Sequence, residues 1–297
     1  MLELKSVSKN FGKTKALQNV SFTVSSGEIV GFVGANGAGK STTIGSILGF
    51  IAPSHGEIHV FGQKVLVSNA HKSHARIGYA AGDMEMPKRL TGNQYLRFVR
   101  SQTKQHDDAL FKDLCNRFKP QLDKKIGDLS RGNKQKIALI GVFINDPQLV
   151  ILDEPTSGLD PVMQDVFLDL IRDCQKNGTT VFMSSHYLNE VADVCSRVIL
   201  MRSGEIIEDV SAKELLEKGG KTVRIVMAGQ GDTLPSGATD VQYSKDGEKH
   251  VITFSYKGDP KKLIRWISSL TKLYDVEVTE YNLENAFQSM YANEEKK

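Results

Sequence analysis

Two patterns of hydrophobic and polar residues distinguish the strands that the sequence predicts. Positions 2–7 and 20–24 alternate between apolar and polar residues, which predicts half-exposed strands of an antiparallel sheet. Four other segments are short and nearly continuously apolar, at 29–33, 149–152, 180–183 and 198–201. Such runs are typical of parallel strands covered on both faces. The sequence therefore predicts two kinds of sheet.

From about residue 83 to residue 146 the pattern changes to helical spacing. Thr91 and Gln94 have the spacing of a capping box, which predicts a helix that starts at Thr91. Further helices are predicted at 107–118 and 130–144. The apolar face of the first helix is expected to comprise Tyr95, Leu96, Phe98 and Val99. We expect a helical insertion, at about 83–146, within an α/β core.

A further helix follows the second apolar run. Asp160 is predicted to be its N-cap residue and Pro161 to be a proline in its first turn. Its buried stripe is expected to comprise Val162, Val166, Phe167, Leu170, Ile171 and Cys174. Strands and helices that alternate in this way predict right-handed crossovers and a doubly wound sheet.

The composition changes beyond Gly219-Gly220, and we place a domain boundary near 220. The two predicted domains are 1–219 and 220–297. For the second domain the pattern predicts a small α+β arrangement in which a polar loop separates the first two strands. Its strands are expected at 223–226, 250–256 and 276–279, and its helices at 260–270 and around 283–290.

A glycine-rich segment follows the apolar run at 29–33 and precedes residues at helical spacing. It fits the pattern Gly-x-x-x-x-Gly-Lys-Ser/Thr of a phosphate-binding loop, although a glycine-rich turn with a chance Lys-Ser would look alike. Backbone N–H groups of such a loop and of the following helix start meet phosphate oxygens. The candidate phosphate-binding residues are Gly34, Asn36, Gly37, Ala38, Gly39, Lys40, Ser41 and Thr42.

Particular chemistry is expected of two residues in this loop and of two acids elsewhere. Lys40 is expected to contact the β and γ phosphates, and the Ser41 hydroxyl to ligate Mg²⁺. Asp153 and Glu154 follow the apolar run at 149–152, and the carboxyl ends of such strands form the ligand site of an α/β sheet. We expect Asp153 to hold Mg²⁺ and Glu154 to act as the general base toward water. The alternative for this acidic pair is a solvated turn.

Composition and charge argue against a nucleic-acid-binding, a disulfide-rich or a membrane-spanning protein. A net charge of +3, with basic residues interrupted by acids and no interleaved aromatics, argues against nucleic acid as a partner. The three cysteines are far apart, which favours inert thiols in a reducing cytoplasm. The N-terminus lacks a signal-peptide pattern, and no apolar run approaches the length of a bilayer span. A membrane function would need another chain to supply the span.

Three further segments carry a resemblance to a known family. The segment Leu129-Ser130-Arg131-Gly132-Asn133 resembles the signature sequence of the ATP-binding cassette (ABC) family. The segment 157–160 is similar to that family's D-loop, and Ser184-Ser185-His186 is similar to its switch-histidine segment. With Lys40 and Asp153, five elements stand in family order over about the first 210 residues. The resemblance implies the ABC ATPase fold: a mixed central sheet, an antiparallel β subdomain and a helical subdomain.

The resemblance also implies a composite site between two cassettes packed head to tail. ATP held by the glycine-rich loop of one chain would then be contacted by Ser130 and Gly132 of the other, and Asp160 would belong to the same nucleotide site. His186 is implied to hydrogen-bond the γ phosphate. Phe11 matches an aromatic that stacks on adenine, although packing at the end of a β-hairpin is nearly as good an explanation.

The implied function is that of an ATP-hydrolysing subunit, with ATP and Mg²⁺ as ligands. It would act at the cytoplasmic face of the membrane through a separate transmembrane permease and a second nucleotide-binding subunit, identical or not. The tail segment 276–287 resembles the ending of ABC-2-type exporter ATPases. Residues near 82–100 are implied to be the docking surface for the membrane subunit, although core packing could explain their apolar side chains.

The chain departs from the family pattern at three positions. Gly82 stands where members usually carry a glutamine that helps to coordinate Mg²⁺, so that Asp83 or water would have to substitute. Arg131 and Asn133 replace the commoner glycine and glutamine of the signature. These departures favour, as the alternative, a regulatory or assembly module that hydrolyses ATP slowly or not at all. Soluble ABC proteins of translation or DNA repair are disfavoured by the single cassette.

Overall fold

The chain forms two compact units, Met1–Val210 and Ser211–Lys297. The computed structural model describes residues 1–82, 84–103, 107–185, 191, 194–229, 234–247 and 249–280. The boundary predicted near 220 lies instead at the end of a helix that belongs to the second unit. Gly220 adopts a φ of 85° at the C-cap of that helix, so the glycine pair ends a helix and does not separate the two units.

Among the residues described, the first unit contains ten strands, six α-helices and one 3-10 helix at Ile126–Asp128. Its strands are β1 (Leu2–Phe11), β2 (Thr14–Val24), β3 (Ile29–Val33), β4 (His55–Val60), β5 (Gln63–Lys64), β6 (Ile77–Ala80), β7 (Leu149–Asp153), β8 (Thr180–Ser185), β9 (Arg197–Arg202) and β10 (Glu205–Ser211). Its helices are α1 (Lys40–Ile47), α2 (His71–His74), α3 (Gly92–Arg100), α4 (Asp108–Phe118), α5 (Arg131–Phe143) and α6 (Pro161–Lys176).

The central sheet of this unit has six strands in the order β10-β9-β3-β8-β7-β6. The pairs β9–β3, β3–β8, β8–β7 and β7–β6 are parallel, and every residue of β3, β7 and β8 is buried. The continuous apolar runs are therefore confirmed as parallel strands covered on both faces. Because neighbouring parallel strands end at one edge, the residues that follow β3, β7 and β8 come together there.

A second sheet has the order β2-β1-β4-β5 and is antiparallel. It packs on the central sheet through an aromatic cluster in which Phe22 of β2 lies against Phe32 of β3 and Phe182 of β8. The three ring centroids are 5.1 to 5.9 Å apart. The alternating pattern is confirmed, because one face of β1 and β2 joins this core and the other carries the polar residues.

The helical insertion consists of α3, α4 and α5, and each helix begins with a side-chain cap. Thr91 and Gln94 form a complete capping box, and Asp107 and Ser130 accept backbone hydrogen bonds at the starts of α4 and α5. The predicted apolar face of α3 is only partly buried, since Leu96 is in the core whereas Phe98 is 60% exposed.

In α6, which follows β7, the predicted stripe residue Val162 is exposed, because it lies in the first turn of the helix, ahead of the buried stripe. No helix in the described ranges is long and apolar enough to cross a membrane.

The second unit is a four-stranded antiparallel sheet with a helix packed on one face. Its elements are α7 (Ala212–Gly219), β11 (Lys221–Met227), β12 (Ala238–Asp246), β13 (Lys249–Tyr256), α8 (Pro260–Ser269) and β14 (Leu273–Glu280). The strand order is β12-β13-β11-β14. The rings of Phe254 and Trp266 meet edge to face at 5.5 Å between β13 and α8. The helix predicted around 283–290 lies outside the residues described.

Strand β12 corrects the sequence analysis, which expected a polar loop there. It is an edge strand that pairs with β13 alone, and most of its side chains are exposed. An edge strand with two largely solvated faces needs no apolar alternation, so the pattern carried no sign of it.

The three cysteines are free thiols. Burial raises the pKa of the Cys174 thiol to about 11, and burial also raises the pKa of Cys195 and Cys115. Because the thiolate is the reactive form, a raised pKa keeps these groups unreactive at neutral pH. The structure agrees with the expectation of inert thiols.

Candidate active site

The loop between β3 and α1 is shaped by two glycines that no other residue could replace without a clash. A Cβ on Gly34 would lie 2.5 Å from the carbonyl oxygen of Met201. Gly39 has a φ of 110°, and a Cβ there would lie 2.7 Å from the carbonyl oxygen of Ala16. The predicted glycine loop is thus a tight turn wedged between neighbouring backbone segments, with its apex at Asn36 and Gly37 exposed.

Lys40 begins α1 and is only 5% exposed. Its Nζ donates hydrogen bonds to the carbonyl oxygens of Gly34, at 2.6 Å, and Ala35, at 3.2 Å. It also lies 3.9 Å from Oε1 of Glu154. Burial lowers the pKa of Lys40, and the nearby charges of Glu154 and Asp153 partly offset that effect. The backbone of the glycine loop therefore surrounds the Lys40 ammonium group, and the carboxylates of Asp153 and Glu154 lie near that charge.

The N-terminus of α1 differs from those of the other longer helices. The N-cap residue of α1 is Gly39, and no side-chain hydrogen bond caps this helix in the described part of the chain. The first turn of α1 contains no acidic residue. By contrast, α3 to α8 all begin with a Ser, Thr or Asp side-chain cap. Helix N–H groups without side-chain acceptors, with the positive end of the helix dipole, suit a bound anion. The loop and the helix start together fit a triphosphate.

Asp153 ends β7, and hydroxyl groups from two other segments flank its carboxylate. The Ser41 hydroxyl donates to Oδ2 at 2.8 Å, and the Ser184 hydroxyl donates to Oδ1 at 2.5 Å. The strand end after β7 thus lies beside the glycine loop, where the sequence analysis expected it. One carboxylate oxygen next to one hydroxyl is a hard-oxygen donor set of the kind that Mg²⁺ uses together with substrate phosphates. In the described part of the chain no cluster of three or more His, Cys, Asp or Glu could hold a metal.

Glu154 leaves the strand with a left-handed backbone, at a φ of 49°. Its side chain is partly exposed and lines an open cleft of about 450 Å³. The other residues that line this cleft are Ser41, Tyr79, Ala81, Gly82, Arg131, Asp153 and Ser157. Both acids therefore line the cleft, Asp153 as the last, largely buried residue of β7 and Glu154 with a more exposed side chain.

The two departures at Gly82 and Arg131 meet in this cleft. A Cβ on Gly82 would lie 3.2 Å from the carbonyl oxygen of Asp153, so a side chain at position 82 would border the acidic pair. The guanidinium of Arg131 donates from Nη2 to the Ser157 hydroxyl at 2.8 Å. The position of Asp83, the suggested substitute for the usual glutamine, lies outside the residues described.

The remaining predicted site residues do not line this cleft. Ser130 caps α5, Gly132 packs close to the carbonyl of Gly158, and the Asp160 side chain accepts a hydrogen bond from the N–H of Met163 as the cap of α6. Phe11 lies at the hairpin end of β1 and is 51% exposed. The Nζ of Lys9 lies 4.9 Å from the centroid of its ring. His186 lies outside the residues described.

Three residues of the site had no assigned role in the sequence analysis. Gln135 is buried and donates from Nε2 to the carbonyl oxygen of Pro155 at 2.7 Å, which ties α5 to the turn after Glu154. Burial, assisted by the charge of Asp153, raises the pKa of Tyr79 beside the cleft, so its hydroxyl stays protonated. Ser184 bonds Asp153. In the sequence, the feature that could have indicated Ser184 is that Ser184 and Ser185 are polar residues at the end of an apolar strand.

A buried strand, a glycine loop around a buried lysine, and an acidic strand end beside the loop serine define a P-loop nucleotide-binding protein. The sequence profile of the ABC transporter family matches residues 17–157. The chain is 33% identical over 222 residues to Nod factor export ATP-binding protein I of Rhizobium leguminosarum bv. viciae, covering 73% of this chain and 71% of that protein. It is 33% identical over 209 residues to ABC transporter ATP-binding protein NatA of Bacillus subtilis (strain 168), covering 68% and 85%. The chain belongs to the ATP-binding subunits of ABC transporters.

Solved structures agree with this family. An ATP-binding subunit of an ABC transporter superposes with a TM-score of 0.67 at 26% identity, over 73% of this chain and 92% of that one. A dimeric, post-hydrolysis ATP-binding cassette with ADP and Pi superposes with a TM-score of 0.66 at 23% identity, over 71% and 99%, and supports the fold. The predicted fold class is confirmed. Subunits of this family are ATPases that dimerise and work with transmembrane subunits.

Proposed function

We propose that this chain hydrolyses Mg-ATP and thereby powers export through a separate membrane protein. The observation that carries the proposal is the acidic pair of the cleft, in which Asp153 bonds Ser41 and Glu154 lies 3.9 Å from the Lys40 ammonium group. An anion-binding loop alone would account for nucleotide binding. A second, more exposed carboxylate beside the first is the group that hydrolysis requires.

Separate tasks are proposed for the glycine loop with Lys40 and for three residues that line the cleft. The glycine loop and the start of α1 bind the phosphates through N–H groups, and Lys40 supplies the positive charge. Ser41 and Asp153 would hold Mg²⁺, which would supply positive charge to the bound phosphates. Glu154 accepts a proton from the attacking water, for which its partly exposed side chain is suited.

The residues that do not line the cleft are proposed to act in a head-to-tail pair of chains. Ser130 and Gly132, at the start of α5, would contact the nucleotide held by the partner, with Asp160 near the same interface. A helix start with small side chains can approach a phosphate closely. His186 is proposed to bond the γ phosphate and Phe11 to stack on adenine, in keeping with the exposure of its ring.

Export is supported by relatives such as Nod factor export ATP-binding protein I. A second, apolar cleft offers a docking site for a membrane subunit. This second cleft measures about 310 Å³. Its rim carries Phe50 and Phe98, which are 61% and 60% exposed. Its wall includes Tyr79 and Val142, at the junction of the central sheet with the helical insertion. We propose that an apolar segment of the transmembrane subunit docks there; of the surface predicted near 82–100, Phe98 and Val99 line this cleft.

Phe98→Asp is expected to weaken capture of the membrane partner at least about tenfold, because a buried unpaired carboxylate in an apolar groove is costly. The measurement is pull-down of detergent-solubilised membrane protein by the tagged chain, with its ATPase rate recorded alone. The matched control is Ile264→Asp, since Ile264 is 62% exposed on α8 of the second unit. Undiminished capture by the Phe98 variant would remove this groove from the proposal.

Steady-state ATPase of the purified chain, with Mg²⁺ and with excess chelator, tests the proposed reaction. We expect metal-dependent release of phosphate that rises further when the membrane partner is present. Gly82 supports the second candidate, a slow regulatory module, because a glycine beside Asp153 contributes no metal-coordinating side chain. Nucleotide binding without turnover, both alone and with the partner, would favour that candidate.

A further inference from the structure

One hydroxyl, that of Ser184, connects both acids of the proposed catalytic cleft. Ser184 pairs with Asp153 in the ladder between β8 and β7, and it is fully buried. Its hydroxyl donates to Oδ1 of Asp153 at 2.5 Å and accepts from the backbone N–H of Glu154 at 3.1 Å. A serine hydroxyl has one hydrogen to donate. In Ser184 that hydrogen is committed to Asp153.

This arrangement divides the two oxygens of the Asp153 carboxylate between two directions. Oδ1 is occupied from inside the sheet by Ser184, and Oδ2 points to the hydroxyl of Ser41 at 2.8 Å. A carboxylate that is bonded at only one oxygen can rotate about its side-chain torsion, which is broad. The bond from Ser184 fixes the carboxylate plane and so presents Oδ2 beside Ser41.

The same serine fixes the point at which Glu154 leaves the strand. The N–H of Glu154 is shared between the hydroxyl and the carbonyl oxygen of Ser184, at 3.1 and 3.2 Å. Glu154 has a φ of 49°, a conformation that costs a non-glycine residue free energy and persists when its surroundings enforce it. The hydrogen bonds to Ser184 help to enforce the turn that directs Glu154 to the cleft.

We infer that Ser184 is a positioning residue for metal binding and hydrolysis, acting through Asp153 and Glu154. The inference rests on the proposed function, in which Asp153 holds Mg²⁺ and Glu154 activates water. Hydrogen-bonding partners behind a metal ligand orient it, and their removal commonly lowers metal affinity or activity 10- to 100-fold. Ser184 is predicted to have an effect of this size through Asp153, since its own side chain is fully buried.

The test compares Ser184→Ala with wild type in two measurements on the full chain. The first titrates Mn²⁺, as a surrogate for Mg²⁺, into the chain with the non-hydrolysable ATP analogue AMP-PNP. We expect half-saturation to need about tenfold or more Mn²⁺ in the variant. The second is steady-state ATPase, for which kcat is expected to fall about tenfold or more while KM for ATP changes less than about threefold, since the Lys40 loop is untouched.

Thr180→Val is the matched control, because it also removes a buried hydroxyl from β8. The Thr180 hydroxyl accepts a hydrogen bond from the N–H of Gly27 at the opposite end of that strand. This control is expected to lose stability while keeping wild-type Mn²⁺ half-saturation and kcat. Ser184→Thr, which retains a hydroxyl, is expected to restore both quantities to within about threefold of wild type. Should Ser184→Ala not fold, Ser184→Cys, with a weaker donor, is expected to show intermediate losses.

Wild-type Mn²⁺ half-saturation in folded Ser184→Ala or Ser184→Cys would overturn the inference. Equal losses in Thr180→Val would also overturn it, because they would reflect general destabilisation of the sheet. The metal titration needs no turnover. If wild type did not hydrolyse ATP, the proposed function would fail, and the titration would still decide whether Ser184 positions Asp153.

Discussion

Glu154→Gln is expected to bind ATP with near wild-type affinity, to lose at least about a hundredfold in turnover and to accumulate as an ATP-bound dimer. General-base catalysis commonly contributes 10²- to 10⁴-fold, and an amide cannot accept the proton at neutral pH. Glutamine keeps the size of glutamate and its place in the turn after β7. The chain would therefore close on ATP and fail to open, because opening in this family is proposed to follow hydrolysis.

Phosphate release measures the turnover, and light scattering coupled to gel filtration, with and without ATP, measures the dimer. Glu205→Gln is a suitable control, since Glu205 is an exposed acid on β10 outside the cleft. It is expected to match wild type in both measurements. Normal turnover in Glu154→Gln would show that another group removes the proton, and the assignment of Glu154 as base would be wrong.

Lys40→Met is expected to abolish nucleotide binding while the chain stays folded. Methionine approximates the length of the buried stem, but it removes the ammonium that the carbonyls of Gly34 and Ala35 hold in the loop. Wild type should gain about 2.7 kcal/mol of stability when ATP is present at 100 times Kd. The variant should gain less than about 1 kcal/mol at the same ATP concentration.

Thermal unfolding with and without Mg-ATP gives this comparison directly, and the nucleotide-free scan reports whether the variant folds. Lys176→Met serves as the control, because Lys176 is an exposed lysine at the end of α6. It should respond to ATP as wild type does. An undiminished ATP response in Lys40→Met would contradict the proposed role of the loop.

Features that depend on contiguous residues are predictable from the amino-acid sequence alone. The starts of the three helices predicted at Thr91, 107 and 130 are placed correctly to within one residue, because each helix is capped by a residue within three positions of the N–H group that it bonds. The continuous apolar runs identify the buried strands for a similar reason. A strand that is buried on both faces is apolar at nearly every position, and this is visible in the sequence.

Features that depend on solvent and on neighbouring strands are not predictable in the same way. The polar strand β12 is missed because only its partner β13 makes it a strand. For Phe98 the sequence left both core packing and a docking surface open, and the structure places this side chain at the rim of an open cleft. The sequence shows that an aromatic side chain is apolar, but only packing decides whether another element of the same chain covers it.

By itself the sequence determined the glycine loop, its lysine and serine, and the acidic pair after a buried strand, because each is a contiguous segment whose chemistry is local. Only the tertiary structure decided how these segments meet. The strand order puts β8 between β3 and β7, so that Ser184 contacts Asp153 across 31 positions of sequence. Pairing between strands is a long-range choice made by the whole sheet. The contact of the Ser184 hydroxyl with the acidic pair follows only from that pairing.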